Sequence, residues 1–361
     1  MVELPRQDGK RRYFIKSLHT KDYYDALENA KNMKKNYLLI TLAMLAALSV
    51  SCKSVPTVSD GQEGPYTITT IAENVYHIQD CNDENPSGES FDESGNQTHF
   101  NNCSDIYLVV GTEKALVIAL SNRIKWADNA EESLRKIVYD RIGDRELQIT
   151  FTHNHGDHTG MFPAFQNEER AFFAIPAIDL GKDADQVPEN RRSLYDEGET
   201  FDLGGYKVHT ILVPGHTAGS MVFHLEGTDI LFKGDAIGSG HGVWIFNTEA
   251  FENYVAGFPH LVEYIENGTN GINKDNLKLY GGHFWQKDWF PELGDGVFGT
   301  QYISDMQALI GQIADGTATT EPSGLSHPVL DTYFRNGQAI VAWNAKQAED
   351  YHSALAAAEQ E

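Results

Sequence analysis

The chain has 361 residues, 41% of them hydrophobic, and a mean hydropathy of −0.41, values of a soluble globular protein with room for one large domain or two small ones. Its formal net charge of −24 repels phosphate backbones and excludes a nuclease or other nucleic-acid binder from the expected functions.

The first segment breaks that pattern. Met33-Lys34-Lys35-Asn36 is basic, Tyr37 to Val50 is apolar except for Thr41 and Ser49, and Ser51 precedes Cys52. A basic stretch, an apolar run too short to span a bilayer comfortably and a small residue before the break make an export signal. A cysteine directly after the small residue resembles the lipobox of bacterial lipoproteins, although Ser49 stands where leucine is usual. A plain signal peptide or an N-terminal membrane anchor are the other readings. The expectation is an envelope or periplasmic lipoprotein tethered to a membrane through lipid on Cys52. Export signals begin at a chain start, so residues 1–32 are expected to be a non-native extension, with Met33 as initiator. The signal is then 33–52, followed by a linker over 53–65 and one domain over 66–361.

Within that domain the run 67–79 is β-rich, and 106–120 reads as a hairpin broken at Gly111-Thr112. Helical spacing follows over 124–140, then short strands over 147–152, 171–175 and 207–213. A hairpin is expected around Gly227-Thr228-Asp229, helices over 249–266 and 301–315, and a type I′ hairpin at Asn336-Gly337. The Ala/Glu-rich end, 345–360, completes the helices. Hairpin groups interspersed with helices give an α/β domain of mixed sheets. Cys81 and Cys103 bracket one polar loop, which in an exported protein reads as a disulfide. Thiolate ligation is the alternative, but the spacing fits no compact zinc motif.

The run Thr152-His153-Asn154-His155-Gly156-Asp157-His158 crowds three imidazoles and a carboxylate at the end of a strand. Buried, such groups need partners, and exposed they gain nothing from adjacency. A cation resolves the conflict, because neutral imidazole and carboxylate are good ligands for zinc and its neighbours. Three islands repeat the theme. His216, Asp235 and His283 each sit beside glycine just past an apolar run, as converging loops at one sheet edge require.

This pattern resembles the metallo-β-lactamase-fold superfamily, with its HxHxDH loop and separated His, Asp and His ligands. The resemblance implies an αββα sandwich of two mixed β-sheets flanked by helices, with the site at one edge. It assigns His153, His155 and His216 to one metal, Asp157, His158 and His283 to a second, and Asp235 to a bridge. Two divalent ions are implied, zinc foremost, with iron or manganese as alternatives. The reaction implied is hydrolysis of an ester, thioester, lactone or related bond in a small molecule by a hydroxide shared between the metals, with Asp157 as a further orienting group. Diiron oxygen-reducing members usually carry Glu at the position of His155, which speaks against redox chemistry here. True β-lactamases with this loop generally lack a carboxylate at the position of Asp235, whereas an envelope location suits a β-lactamase and suits glutathione thioesters poorly. A ligand-binding lipoprotein without catalysis is the remaining alternative. His241, Trp244 and Phe246 are expected to line the substrate pocket, the two aromatics equally readable as core.

Overall fold

Contacts divide the chain into Met1–Lys53 and Ser54–Glu361. The structure, a computed structural model, describes residues 2–3, 13–14, 60–80, 90–91, 97–99, 103–125, 127–290, 297–325 and 327–358. In the first unit the described residues are two short paired strands, Val2–Glu3 and Tyr13–Phe14. The signal segment, Cys52, residues 53–59 of the expected linker and Cys81 lie outside the described residues.

In the second unit, eight strands form a mixed sheet: β1 (Gly61–Glu63), β2 (Tyr66–Ala72), β3 (Val75–Gln79), β4 (Asp105–Val110), β5 (Lys114–Ile118), β6 (Glu146–Thr150), β7 (Ala171–Pro176) and β8 (Arg192–Tyr195). Their order is β8-β7-β6-β5-β4-β3-β2-β1, with β5 through β8 parallel and the other pairs antiparallel. Residues 61–63, expected as linker, thus form an edge strand. The run 67–79 is itself a hairpin, turned at Asn74, whose φ of 57° is one that asparagine tolerates.

A second sheet holds β9 (Thr200–Asp202), β10 (Lys207–Leu212), β11 (Met221–Leu225), β12 (Ile230–Gly234) and, after β13 (Val243–Trp244), β14 (Lys278–Gly281), in the order β9-β10-β11-β12-β14. Alternation along the strands builds the layers. Tyr107, Val109, Leu116 and Ile118 of the first sheet meet Val208, Phe223, Leu225 and Phe232 of the second in one buried cluster. The opposite face of the first sheet, through Ile106, Leu108 and Val117, packs on Leu134, Ile137 and Val138 of helix α1 (Ala130–Ile142). Val222, Leu231 and Leu279 on the far side of the second sheet pack with Phe251, Phe258 and Leu261 of a helix over Thr248–Glu266, and with Met306 and Leu309 of another over Thr300–Ala314. Helix, sheet, sheet, helix is the expected αββα sandwich.

One difference is topological. A third, four-stranded sheet, β13-β17-β16-β15, is built from β15 (Thr319–Pro322), β16 (Thr332–Asn336) and β17 (Ala339–Trp343) with β13 at its edge, and its Tyr333, Ile340 and Val341 join the helical cluster. The hairpin expected at Asn336-Gly337 forms, but Asn336 pairs with Ala339, so the loop residues are Gly337 and Gln338. Only Gly337 has positive φ (56°), the pattern of a II′ turn instead of I′. Helix α1 starts six residues later than the spacing suggested, after Asn129 at φ 58°. Glu131 and Glu132 then occupy its positive end.

Candidate metal centre

All seven ligand-type residues come from loops leaving the same end of the two central sheets. Strand β6 runs through Phe151 and Thr152 into His153, and a single helical turn, α2 (Gly156–Thr159), carries Asp157 and His158. That turn is pinned to the end of β5, where Leu120 N donates to His158 O at 2.7 Å and Gly160 N to Ser121 O at 2.8 Å. His216 follows β10, Asp235 follows β12 and His283 follows β14. The two sheets are stitched here, Met221 N donating to Thr152 O at 2.8 Å and Asp105 N to Gly282 O at 2.9 Å.

Two glycines make this convergence possible. Gly234 has a φ of 48°, and a Cβ there would fall 2.7 Å from Thr152 Cβ. A Cβ on Gly282 would overlap Asp235 Oδ1 and come 2.7 Å from His158 Cε1, inside the site itself.

The side chains fall into three overlapping groups whose ligand atoms lie within 4.8 Å of one another: His153, His155 and His216; His153, His158 and Asp235; Asp157, His158 and His283. His216 Nε2 is 2.9 Å from His155 Nδ1, and the rings of His153 and His158 are 4.4 Å apart. Asp235 Oδ2 lies 3.4 Å from His158 Nε2, 3.7 Å from His216 Nε2 and 3.3 Å from His283 Nε2, so it reaches both ends of the cluster. Asp157 Oδ2 is 3.4 Å from His283 Nε2.

Each outer nitrogen that is fixed leaves the inner one aimed at the centre, the usual arrangement around metal-ligating histidines. His216 Nδ1 donates to Trp244 O at 3.0 Å and His283 Nδ1 to Cys103 O at 2.7 Å. By contrast, His153 Nε2, both ring nitrogens of His158 and Asp235 Oδ1 are buried without a hydrogen-bond partner. An orphaned buried polar atom costs roughly 1–3 kcal/mol, and four in one spot are not a stable design for an empty core. They suit divalent cations, for which neutral imidazole and carboxylate are the right donors.

The electrostatics agree. Burial, reinforced by His158 and His216, holds His153 well below the ordinary imidazole range, and burial takes His216 down to about 4 in spite of Asp235. Burial lowers His155 as well. Burial opposes ionisation of Asp235, but His283 and His158 outweigh it and hold the carboxyl well below its usual range. Asp157 is likewise depressed by His158 and His283 against its burial. Burial opposes protonation of His158 and His283 too, but Asp235 and Asp157 outweigh it and raise both, so the site has neutral imidazoles at one end and carboxylate–imidazole pairs at the other.

Five of these residues, His155, Asp157, His216, Asp235 and His283, open into a cavity of about 240 Å³. His241, Trp244 and Phe246 all line it, and both aromatics also pack on the helical core, so the two readings of them coincide. Phe246 sits 5.8 Å from the His155 ring and 5.7 Å from that of His216. His241 is buried, its Nδ1 3.2 Å from the Tyr333 hydroxyl, and burial pushes its pKa down to about 3. Ser239, Gly242, Trp285 and Gln286 complete the lining; the first two lie in the stretch 238–246 after Asp235 from which substrate contacts are expected, whereas no sequence signal marked Trp285 and Gln286. The nearest clue was that Trp285 and Gln286 directly follow His283-Phe284. Cys103 is disulfide-bonded, while its expected partner Cys81 lies outside the described residues.

Residues 104–261 match the family model for the metallo-beta-lactamase superfamily. That segment, somewhat less than half of the chain, carries His153, His155, Asp157, His158, His216 and Asp235, while His283 lies beyond it. The chain is 31% identical over 118 residues to a hydroxyacylglutathione hydrolase of Rhizobium meliloti (strain 1021), a match covering 33% of this chain and 44% of that protein. It is 26% identical over 207 residues to the acyl-coenzyme A thioesterase MBLAC2 of Gallus gallus, covering 50% of this chain and 72% of that one. Among solved structures, the metallo-beta-lactamase from Pontibacter korlensis aligns with a TM-score of 0.47 at 16% identity, over 68% of this chain and 99% of that one. The chain spans less than half the length of the hydroxyacylglutathione hydrolases that it matches.

Proposed function

We propose that this protein is a dinuclear metal-dependent hydrolase of acyl bonds, with thioesters and esters as its substrate class. The observation that carries the reading is the orphaned ligand set, in which Asp235 reaches between two groups of histidines. His153, His155 and His216 would hold one divalent ion and Asp157, His158 and His283 the other, with Asp235 shared and zinc as the expected metal. Two such cations bring the ionisation of water down to neutral pH and polarise a substrate carbonyl.

The chain's own residues supply the rest. Asp157 faces the cavity as a carboxylate and can orient a water at the cluster by accepting its hydrogen bond. Trp244, Phe246 and Trp285 offer an aromatic wall for an acyl group, while Ser239 and Gln286 offer neutral hydrogen-bonding groups. The names of two relatives, a hydroxyacylglutathione hydrolase and an acyl-coenzyme A thioesterase, support the thioester class over lactams. Export with a lipid anchor on Cys52 belongs to the same proposal, supported by the apolar run 37–50 and by the disulfide at Cys103, a bond suited to an oxidising compartment.

The test is turnover by zinc-loaded protein on chromogenic thioester, ester, lactone and cephalosporin substrates, with His153→Ala as control. Thioester or ester hydrolysis abolished by the substitution is expected. Preferential cephalosporin turnover would replace the substrate class, and silence on all four by a metal-loaded protein would remove the hydrolase reading.

A further inference from the structure

Two buried carboxylates outside the ligand set each grip one ligand loop. Asp179 lies in the turn of helix after β7 (Ala177–Leu180) and is 6% exposed. Its Oδ2 accepts from Thr217 Oγ1 at 2.5 Å and its Oδ1 from Gly219 N at 2.8 Å, so it holds the loop immediately after His216. Thr217 extends the hold, because its carbonyl accepts Gly215 N at 2.9 Å and its hydroxyl lies 2.7 Å from Ser220 Oγ. The carbonyl of Asp179 accepts Asn154 Nδ2 at 3.4 Å, and Asn154 separates His153 from His155. A Cβ on Gly219 would come 2.8 Å from Asp179 Cγ, so the glycine is what lets the carboxylate approach the backbone. One aspartate thus touches both segments that carry His153, His155 and His216.

Asp105, on β4, is 1% exposed and does the same at the other end. Its Oδ2 accepts Phe284 N at 2.5 Å and its own N–H donates to Gly282 O at 2.9 Å, bracketing His283 on both sides. His77 Nε2 lies 2.7 Å from Asp105 Oδ1, and the His77 ring stacks on Tyr107, whose hydroxyl donates to Gly281 O at 2.6 Å. Neither carboxylate lines the cavity.

We propose that Asp179 and Asp105 are positioning residues with divided labour: Asp179 sets the metal position formed by His153, His155 and His216, and Asp105 sets the one formed by Asp157, His158 and His283. This rests on the dinuclear reading above. Charge-assisted hydrogen bonds from a buried carboxylate to backbone N–H fix a loop more tightly than neutral ones. Ligand atoms held to a few tenths of an ångström are what metal affinity depends on, and loss of such outer partners typically costs 10- to 100-fold.

Cobalt(II) binding to the full-length protein tests this, read by visible absorption and by competition with a chelating dye. Two backgrounds isolate the positions: His283→Ala leaves the first intact and His216→Ala the second. In the His283→Ala background, Asp179→Asn is expected to weaken cobalt binding roughly 10- to 100-fold and Asp105→Asn to leave it within about 3-fold. The pattern reverses in the His216→Ala background. Thr217→Val and His77→Gln, which keep both carboxylates, are expected to reproduce the same selectivity at smaller amplitude. They keep the test decisive if either Asn variant fails to fold. Equal weakening at both positions, or none at either, overturns the division of labour while leaving the dinuclear reading intact. A parent protein that takes up no cobalt removes both.

Discussion

Substituting Gly282→Ala is the sharpest probe of how tightly the site is built. Gly282 is absent from the glycines with left-handed φ, so its backbone accepts alanine, and the only obstacle is where the methyl lands. That methyl would overlap Asp235 Oδ1 and sit 2.7 Å from His158 Cε1, where ordinary contact starts at 3.4 Å. Asp235 and His158 must therefore retreat by about 1 Å, a displacement that costs about 10²-fold when it falls on a reacting constellation. Overpacking a tight site also costs about 1–3 kcal/mol of stability, so the fold is expected to survive with a lowered melting temperature. The assay is kcat/KM on the preferred chromogenic acyl substrate, beside metal content by elemental analysis. The account expects a loss of roughly 100-fold with at least one metal position weakened. Activity within about 3-fold of the parent at full metal content would refute the placement of Gly282 inside the site.

Other consequences follow from the same geometry. Burial raises the Asp80 carboxyl from 3.8 to about 6, against hydrogen bonds from Ser104 and Asn122. A folded-state pKa above the unfolded one gives stability that is complete below pH 3.8 and lost as pH rises through 6. Asp80→Asn should therefore gain on the parent by up to about 3 kcal/mol between pH 4 and 8, and a pH-independent difference in denaturant midpoints would contradict the burial argument. Phe246→Ala is expected to raise KM roughly 5- to 30-fold through lost apolar contact, with kcat changed less; a fall in kcat at constant KM would place the ring in the chemistry and not in binding. Removing metal with a chelator should lower the melting temperature reversibly, since cations bind the folded site alone, and an unchanged melting curve would argue that the orphaned nitrogens are satisfied without them.

The ligand-type residues were legible because four of them crowd into six positions at a strand end and the other three, His216, Asp235 and His283, each stand beside glycine just past an apolar strand. His241 could be placed near the site because it follows Asp235 closely in the chain. Asp105 and Asp179 could not, because a lone aspartate in a strand or a short turn carries no periodicity, and its role is fixed by partners 179 and 40 residues away. Strand pairing set a similar limit. The hairpin at Gly337 was visible, but only tertiary contact with Val243–Trp244 and Thr319–Pro322 makes it a separate sheet. The turn type depended on which residues face Asp305, whose carboxylate accepts Gln338 N at 2.8 Å.

The central claim is a pair of metal ions held by seven named residues. Equilibrium dialysis against zinc followed by elemental analysis measures it directly, on the parent and on Asp235→Ala. The account predicts two equivalents per chain in the parent and weakened binding of both in the variant, because Asp235 reaches both ends of the cluster. One equivalent or none in the parent, or an Asp235→Ala protein that still binds two tightly, would contradict it.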